Sequence, residues 1–265
     1  TSIQNVIYSQ EESKYLVPGG FYAIGLGMCL PTVLAWGTEE HKARYVEPAV
    51  KGDEIWCQLF SEPAGGSDVA GLRTKAEKDG DDWIINGQKV WTSGAHYCDF
   101  GIVVVRTDPT VPKHKGLTMF IIDMKSPGVE VRPIKQMSGE SEFNEVFFTN
   151  VRIPDSNRLG QPGDGWKVAL TTLMNERLAV GGGGGADWEE LMAMGREAEM
   201  EQMAAMANGA VRERLADWYV QTQGLKYTRF RTLTALSKGQ TPGPESSISK
   251  IVSAAKMQDL GAFAK

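Results

Sequence analysis

The sequence has few cysteines, few histidines and no excess of basic residues. Its three cysteines, Cys29, Cys57 and Cys98, are odd in number and widely spaced, which argues against a disulfide framework and a thiolate metal site. Such cysteine usage is typical of a reducing compartment. The formal net charge of −5 gives no electrostatic reason to expect nucleic-acid binding, which usually needs a basic patch.

Long apolar runs and clustered metal ligands are missing as well. The longest apolar stretch, residues 21–36, is interrupted by Pro31 and is short for a bilayer-spanning helix. No basic and apolar leader precedes it. The three histidines, His41, His96 and His114, show no ligand spacing. We therefore expect a soluble cytoplasmic protein with no membrane span and no bound metal.

The periodicity of the sequence changes twice along the chain. Residues 1–54 have a helical pattern, with Thr38 as a good N-cap. Residues 55–156 contain short segments that are rich in β-branched and aromatic residues, which predicts a β-barrel or sandwich. The helical pattern returns over residues 157–265, so we predict a multi-domain α+β fold with a helical, a β and a helical-bundle part. The predicted strands cover residues 72–77, 83–86, 88–92, 100–106, 117–123, 129–135 and 145–150.

Within the C-terminal part, we predict helices over residues 165–180, 187–208 and 246–260. The five glycines of residues 181–185 should break or kink the first of them, because each costs a helix about 1 kcal/mol relative to alanine. The run also satisfies the dinucleotide pattern G-x-G-x-x-A. No strand precedes it, so we reject a Rossmann site.

One segment near the start of the β region has the composition of an anion-binding turn. The apolar run of residues 55–60 ends at Ser61, and two adjacent glycines, Gly65 and Gly66, precede Ser67. Glycines allow a backbone to bring its N–H groups close to a bulky anion, and a serine hydroxyl adds a donor.

A second segment follows about twenty residues later. Asn86 and Gly87 are a strong hairpin signal between two apolar runs. The second strand would place Trp91 and Ser93 on the same side, two residues apart. An indole face beside a hydroxyl suits a flat heteroaromatic ring, which suggests a flavin.

Together, the two segments resemble the signature of the acyl-CoA dehydrogenase family, in which S/T-E-P-x-x-G-S-D is followed by N-G-x-K-x-W-x-T/S. The resemblance implies a three-part architecture, FAD as cofactor, and α,β-dehydrogenation of an acyl-CoA to a trans-2-enoyl-CoA, with electrons passed to an electron-transfer flavoprotein. Members are longer, so this chain is expected to be a partial one. Further matching motifs, in order, are residues 37–40, 127–129, 143–146, 151–154, 165–166 and 176–177.

The resemblance also implies roles for particular residues. Gly66 and Ser67 would hold the FAD pyrophosphate, and Ser67 would border the CoA channel. Trp91 would cover the flavin ring, and Ser93 would bond near N5 or O4. In the alternative interpretation, Trp91 is a core aromatic and the serines are ordinary strand hydroxyls. The implied FAD-binding residues are Gln58, Phe60, Ser61, Gly66, Ser67, Trp91 and Ser93.

The catalytic base is expected at one of two places. Some family members place it as the glutamate before an arginine in an early C-domain helix, which Glu176 and Arg177 match. Others use a carboxylate later in the chain. Arg177 would contact CoA phosphates or act as a structural donor. In the alternative interpretation, Glu176 and Arg177 are ordinary helix residues that form ion pairs.

The later helical region resembles a bacterial branch of the family found in lipid and sterol degradation, some of whose members form hetero-oligomers. A homo- or hetero-tetramer is therefore expected. Two alternatives stay open: an oxygen-using relative such as an acyl-CoA oxidase, and a non-catalytic partner subunit. The residues that carry this resemblance are 229–231, 239, 242–243, 247 and 250.

Overall fold

The computed structural model describes residues 4, 7–8, 11–12, 15, 19–180, 188–200, 203–240 and 246–264. The chain divides into two compact units: Pro18–Glu176, and Thr1–Val17 together with Arg177–Lys265. None of the helices in the described part of the chain has the length and apolar character needed to cross a membrane.

The first unit begins and ends with helices. The predicted N-cap is confirmed, because the Thr38 hydroxyl accepts the His41 N–H at 3.3 Å while His41 Nδ1 accepts the Thr38 N–H at 3.2 Å. His41 also joins its helix to the turn after the last long strand, through a 2.5 Å contact between Nε2 and the Ser156 carbonyl oxygen. The helices are α1 (Gly19–Ile24), a π-helical turn (Gly25–Cys29), α2 (Leu30–Trp36), α3 (Glu39–Lys51) and α4 (Gly165–Val180).

Between α3 and α4 lies an eight-stranded sheet. Its strands follow the order β6-β7-β3-β2-β4-β5-β8, and β1 pairs in parallel with β4 beside that path. Within the described residues β6 and β8, at the two ends, do not pair with each other, so the sheet is not closed. The strands are β1 (Trp56–Leu59), β2 (Lys75–Asp79), β3 (Asp82–Ser93), β4 (Phe100–Arg106), β5 (Leu117–Asp123), β6 (Val129–Pro133), β7 (Phe143–Pro154) and β8 (Arg158–Leu159).

Strand β4 is buried on both faces, and this explains the layered core. Ile102 and Val104 pack in a cluster with residues of α2, α3 and α4. Val103 and Val105 point the other way and pack with residues of β3 and β7. The expected combination of helical parts with a central β part is therefore confirmed, with two layers of strands and one of helices. The domain boundaries at residues 54 and 156 stay a prediction.

The hairpin predicted at Asn86 and Gly87 is wrong. Strand β3 runs through this position, and the hairpin turn lies earlier, where Asp79 pairs with Asp82. Gly87 instead occupies a register shift between β3 and β7 with φ of 150°. A Cβ atom there would lie 2.6–2.8 Å from atoms of Thr74, so this glycine serves a close approach of two chain segments.

In the second unit, the helix predicted over residues 187–208 is only half right. Helix α5 (Trp188–Glu197) ends early, and the chain turns back through β9 (Glu199–Met200) and β10 (Met203–Ala204). The turn brings Met206 to within 3.2 Å of the position that a Cβ on Gly195 would take. This tertiary contact is invisible to helical periodicity. The glycines of residues 181–185 lie outside the described residues.

Two longer helices complete this unit: α6 (Gly209–Ser237) and α7 (Ser246–Phe263). Trp218 is completely buried, and its indole N–H donates to Asp259 at 2.9 Å. The helical prediction for residues 246–260 is confirmed. Among the described residues of this unit, one buried apolar cluster contains Leu191, Val211, Leu215, Trp218 and Leu260.

Replacing Gly165 by alanine should destabilise the first unit. Helix α4 starts against strand β5, and a Cβ on Gly165 would lie 2.5 Å from the Leu117 carbonyl carbon and from the Thr118 nitrogen. Backbone atoms cannot move aside, so we expect a loss of about 1–3 kcal/mol, measured by thermal unfolding. The control is Gly224→Ala in α6, where the new Cβ meets nothing within 4 Å. An unchanged melting temperature for Gly165→Ala would contradict this packing.

Candidate functional site

The first candidate segment forms a tight turn after β1. Glu62 and Gly65 exchange backbone hydrogen bonds of 3.2 and 2.9 Å. A Cβ on Gly66 would lie 3.2 Å from the Ser61 hydroxyl oxygen, so the glycine allows this close approach. Among the hydrogen bonds of the described residues, none uses the N–H groups of Gly66 or Ser67. The turn therefore presents two adjacent backbone donors and the exposed Ser67 hydroxyl.

A buried ion pair holds this turn against strand β3. Lys89 Nζ lies 2.8 Å from Glu62 Oε1 and donates to the Phe60 carbonyl oxygen at 3.0 Å. The other Glu62 contacts come from the backbone N–H groups of Arg73, at 2.6 Å, and Thr74, at 2.9 Å. The Glu62 carboxylate therefore has three donors and Lys89 Nζ has two acceptors, so both buried charges are hydrogen-bonded.

The pair stays charged near neutral pH. Burial lowers the pKa of the Lys89 ammonium group to about 8, because desolvation outweighs the attraction of Glu62. Burial raises the pKa of the Glu62 carboxyl group, but the Lys89 charge and the hydrogen bonds it accepts together bring it below its ordinary value. In its charged form the pair holds the turn after β1 against strand β3.

Trp91 is exposed, two residues after Lys89 of the buried ion pair. The preceding residue, Val90, donates its N–H to the Ser61 carbonyl oxygen at 2.9 Å, so the two segments touch here. The register between β3 and β7 then shifts, and Trp91 adopts a left-handed φ of 59°. Its side chain is 59% exposed and packs edge-on against Phe143, with ring centroids 6.0 Å apart. The interpretation of Trp91 as a core aromatic is therefore wrong.

Ser93 ends strand β3 at the wall of a cavity of about 610 Å³. The apolar part of the wall includes Phe21 and Ile24 of α1, and Trp56 of β1. The polar part includes His96, Glu140 and Glu142. Residues from α1, β1 and the two loops beside β3 and β7 thus meet at one cavity, which no single segment of sequence reveals.

The remaining predicted residues have less direct geometry. Gln58 lies half-buried in β1 opposite Ile102, and Phe60 belongs to the core. Their contribution to a cofactor site would come mainly through backbone groups. Glu176 lies half-buried in α4, and it is the last residue of this helix whose side chain the structure describes. The side chain of Arg177 lies outside the described residues. The roles of these residues stay predictions.

The residues that are present fit a flavin dinucleotide. A large exposed indole suits a ring, and two backbone N–H groups that donate to no described residue suit a diphosphate. Ser93, at the cavity wall, suits a polar ring edge. FAD would be held by Gly66 and Ser67 at its pyrophosphate and by Trp91 and Ser93 at its ring. Across the described ranges, no cluster of three or more candidate metal ligands occurs.

Sequence reasoning assigned no role to Glu62, Lys89 or Asn144. All three stand inside the matching motifs and are buried. The available signal was a charged or amide residue within an otherwise apolar strand pattern, because such a residue needs a partner when it is buried. The identity of each partner depends on contacts between distant segments.

The sequence matches two family models one after the other. Residues 57–151 match the model described as "Acyl-CoA dehydrogenase, middle domain". Residues 163–264 match the model described as "Acyl-CoA dehydrogenase, C-terminal domain". The two matches together cover most of the chain.

Similar proteins include two from Mycobacterium tuberculosis. Acyl-CoA dehydrogenase FadE34 is 42% identical over 88% of this chain and 32% of its own length. Acyl-CoA dehydrogenase IpdE1 is 35% identical over the whole chain and 68% of its own length. Among solved structures, the Tcur3481-Tcur3483 steroid ACAD has a TM-score of 0.79 and 29% identity, covering 89% of this chain and 61% of that chain. The chain thus spans between about a third and two-thirds of these relatives.

Proposed function

Because the chain belongs to the acyl-CoA dehydrogenase family, we propose that the protein catalyses the FAD-dependent α,β-dehydrogenation of an acyl-CoA thioester to a trans-2-enoyl-CoA. The observation that carries the proposal is the exposed Trp91, whose φ is left-handed and which precedes the cavity-lining Ser93 by two residues. An indole left in solvent by a residue with a strained backbone suits a ring that packs on it.

In this proposal the protein binds FAD, orients its ring and moves one proton. Gly66 and Ser67 bind the diphosphate, and Trp91 and Ser93 orient the ring. When bound, FAD supplies the hydride acceptor for the β-hydrogen. Glu176 removes the α-proton of the thioester. Arg177 contacts a CoA phosphate.

The acyl group proposed for this enzyme comes from lipid or sterol breakdown. Support comes from the similarity to a steroid ACAD at 29% identity. The name of that structure joins two designations, Tcur3481 and Tcur3483. On this basis we propose a hetero-oligomeric assembly for this protein. A homo-tetramer is the alternative. An electron-transfer flavoprotein is proposed as the electron acceptor.

A reducing, cytoplasmic location is part of the same proposal. All three cysteines are buried free thiols. Burial raises the pKa of the Cys29 thiol far above its ordinary value, which keeps it protonated and unreactive. Free buried thiols are typical of proteins that fold in reducing compartments.

The test is anaerobic mixing of the full-length protein with a panel of acyl-CoA thioesters. We expect the flavin absorbance to bleach with at least one thioester, because reduction removes the oxidised flavin band. Absence of bleaching with every thioester would contradict the proposal. Under air, stoichiometric hydrogen peroxide would favour the oxidase alternative. A stable complex that purifies without flavin would favour the partner-subunit alternative.

A further inference from the structure

The orientation of the Asn144 side chain is fixed by its surroundings. Asn144 is completely buried near the start of β7. Its side-chain N–H₂ group donates to the Thr92 carbonyl oxygen at 2.9 Å and to the Glu142 carbonyl oxygen at 3.3 Å. Exchanging the two ends of the amide would place its oxygen against two carbonyl oxygens. The Asn144 side-chain oxygen must therefore point the other way, as an acceptor.

That oxygen decides the tautomer of His96. It lies 3.1 Å from His96 Nδ1, which must donate because the oxygen can only accept. In the neutral ring the free lone pair is then on Nε2. The ring also packs edge-on against Tyr97, with centroids 4.8 Å apart. His96 thus has an oriented ring, and in its neutral form Nε2 can accept a hydrogen bond.

The cavity around His96 selects the chemistry of its occupant. Glu140 and Glu142 also line the cavity, and carboxylates accept hydrogen bonds and repel anions. Phe21, which is exposed, and Ile24 add apolar surface to the wall of the cavity. Its volume of about 610 Å³ is typical of pockets for bulky organic ligands. The occupant that fits is a neutral, mostly apolar group with a hydrogen-bond donor.

We propose that His96, oriented by Asn144, binds a hydroxyl group on the acyl part of the substrate and so selects hydroxylated over unsubstituted acyl-CoAs. The inference rests on the proposed function, since Ser93 at the same cavity marks the end at which the flavin would lie. His96 is a specificity residue in this assignment, and Asn144 is a positioning residue that acts through it.

The experiment compares two thioesters, a cyclohexylpropanoyl-CoA and its ring-hydroxylated counterpart. The kcat/KM of the FAD-loaded, full-length protein is measured for each under anaerobic conditions with a dye as electron acceptor. We expect the hydroxylated thioester to be preferred by at least about tenfold, because a site built to hydrogen-bond a hydroxyl leaves polar groups unpaired when the hydroxyl is missing.

Variants assign the preference to the imidazole. His96→Leu should slow the hydroxylated thioester alone and bring the ratio close to one, whereas His96→Gln keeps an acceptor and should retain part of the ratio. The control is His114→Leu in an exposed loop, which should leave the ratio unchanged. Flavin content and melting temperature are measured for each variant.

The outcomes separate this inference from the function on which it rests. Equal kcat/KM for the two thioesters in the unmodified protein overturns the role of His96 and leaves the dehydrogenase activity intact, and this readout does not depend on any variant folding. A ratio that survives His96→Leu also overturns it. Bleaching by neither of these thioesters nor by any other acyl-CoA overturns the proposed function itself.

Discussion

Replacing Glu176 by glutamine should slow flavin reduction by an acyl-CoA by about 10²–10⁴-fold, the contribution of a general base to a proton transfer. Glutamine has nearly the same shape as glutamate but cannot take up the α-proton. Binding should therefore persist while the chemical step is lost. The measurement is the rate of anaerobic flavin bleaching in rapid mixing, with flavin content checked by absorbance.

The matched control is Glu47→Gln in α3, where the glutamate is exposed and pairs with Lys51 at 2.6 Å. This change should leave the bleaching rate unaltered. If Glu176→Gln bleaches as fast as the unmodified protein, the base is another carboxylate. Such a result would leave the family assignment untouched, because the assignment rests on the matched segments rather than on this residue.

Replacing Lys89 by methionine should lower the free energy of unfolding by about 3–5 kcal/mol, because it leaves the Glu62 carboxylate buried without its cation. The Phe60 carbonyl oxygen loses its Lys89 donor as well. Since Phe60 and Glu62 flank Ser61, we also expect a lower flavin content per protein. Denaturant unfolding and the ratio of flavin to protein absorbance measure the two effects.

A double variant distinguishes charge from packing. Adding Glu62→Gln to Lys89→Met removes the uncompensated charge and keeps one acceptor oxygen, whereas the Arg73 and Thr74 N–H groups donate to different oxygens of the Glu62 carboxylate. The double variant should be more stable than Lys89→Met alone. The control is Lys75→Met on β2, which removes an exposed pair with Glu77 and should change stability little. Equal stability of Lys89→Met and Lys75→Met would contradict a stabilising role for the buried Lys89–Glu62 ion pair.

The first half of the chain shows how far local patterns reach. Strands β4 and β5 begin and end where the β-branched runs do, and Thr38 caps its helix because N-capping depends only on neighbouring residues. The hairpin predicted at Asn86 and Gly87 is wrong because it depends on pairing between distant segments as well as on neighbouring residues. Asn-Gly favours a turn locally, but pairing of β3 with β7 along its length turns Gly87 into a bulge facing Thr74.

The sequence by itself determined the order of helical and β parts, the two motif segments and the residue types at the proposed flavin site, because these depend on short-range periodicity and spacing. Only the tertiary structure decided that Lys89 pairs with Glu62, that Trp91 is exposed by a register shift, and that Asn144 orients His96 at a cavity. Each of these contacts joins segments that are far apart in the chain, and burial and hydrogen-bond satisfaction select the partners only once the layers have packed.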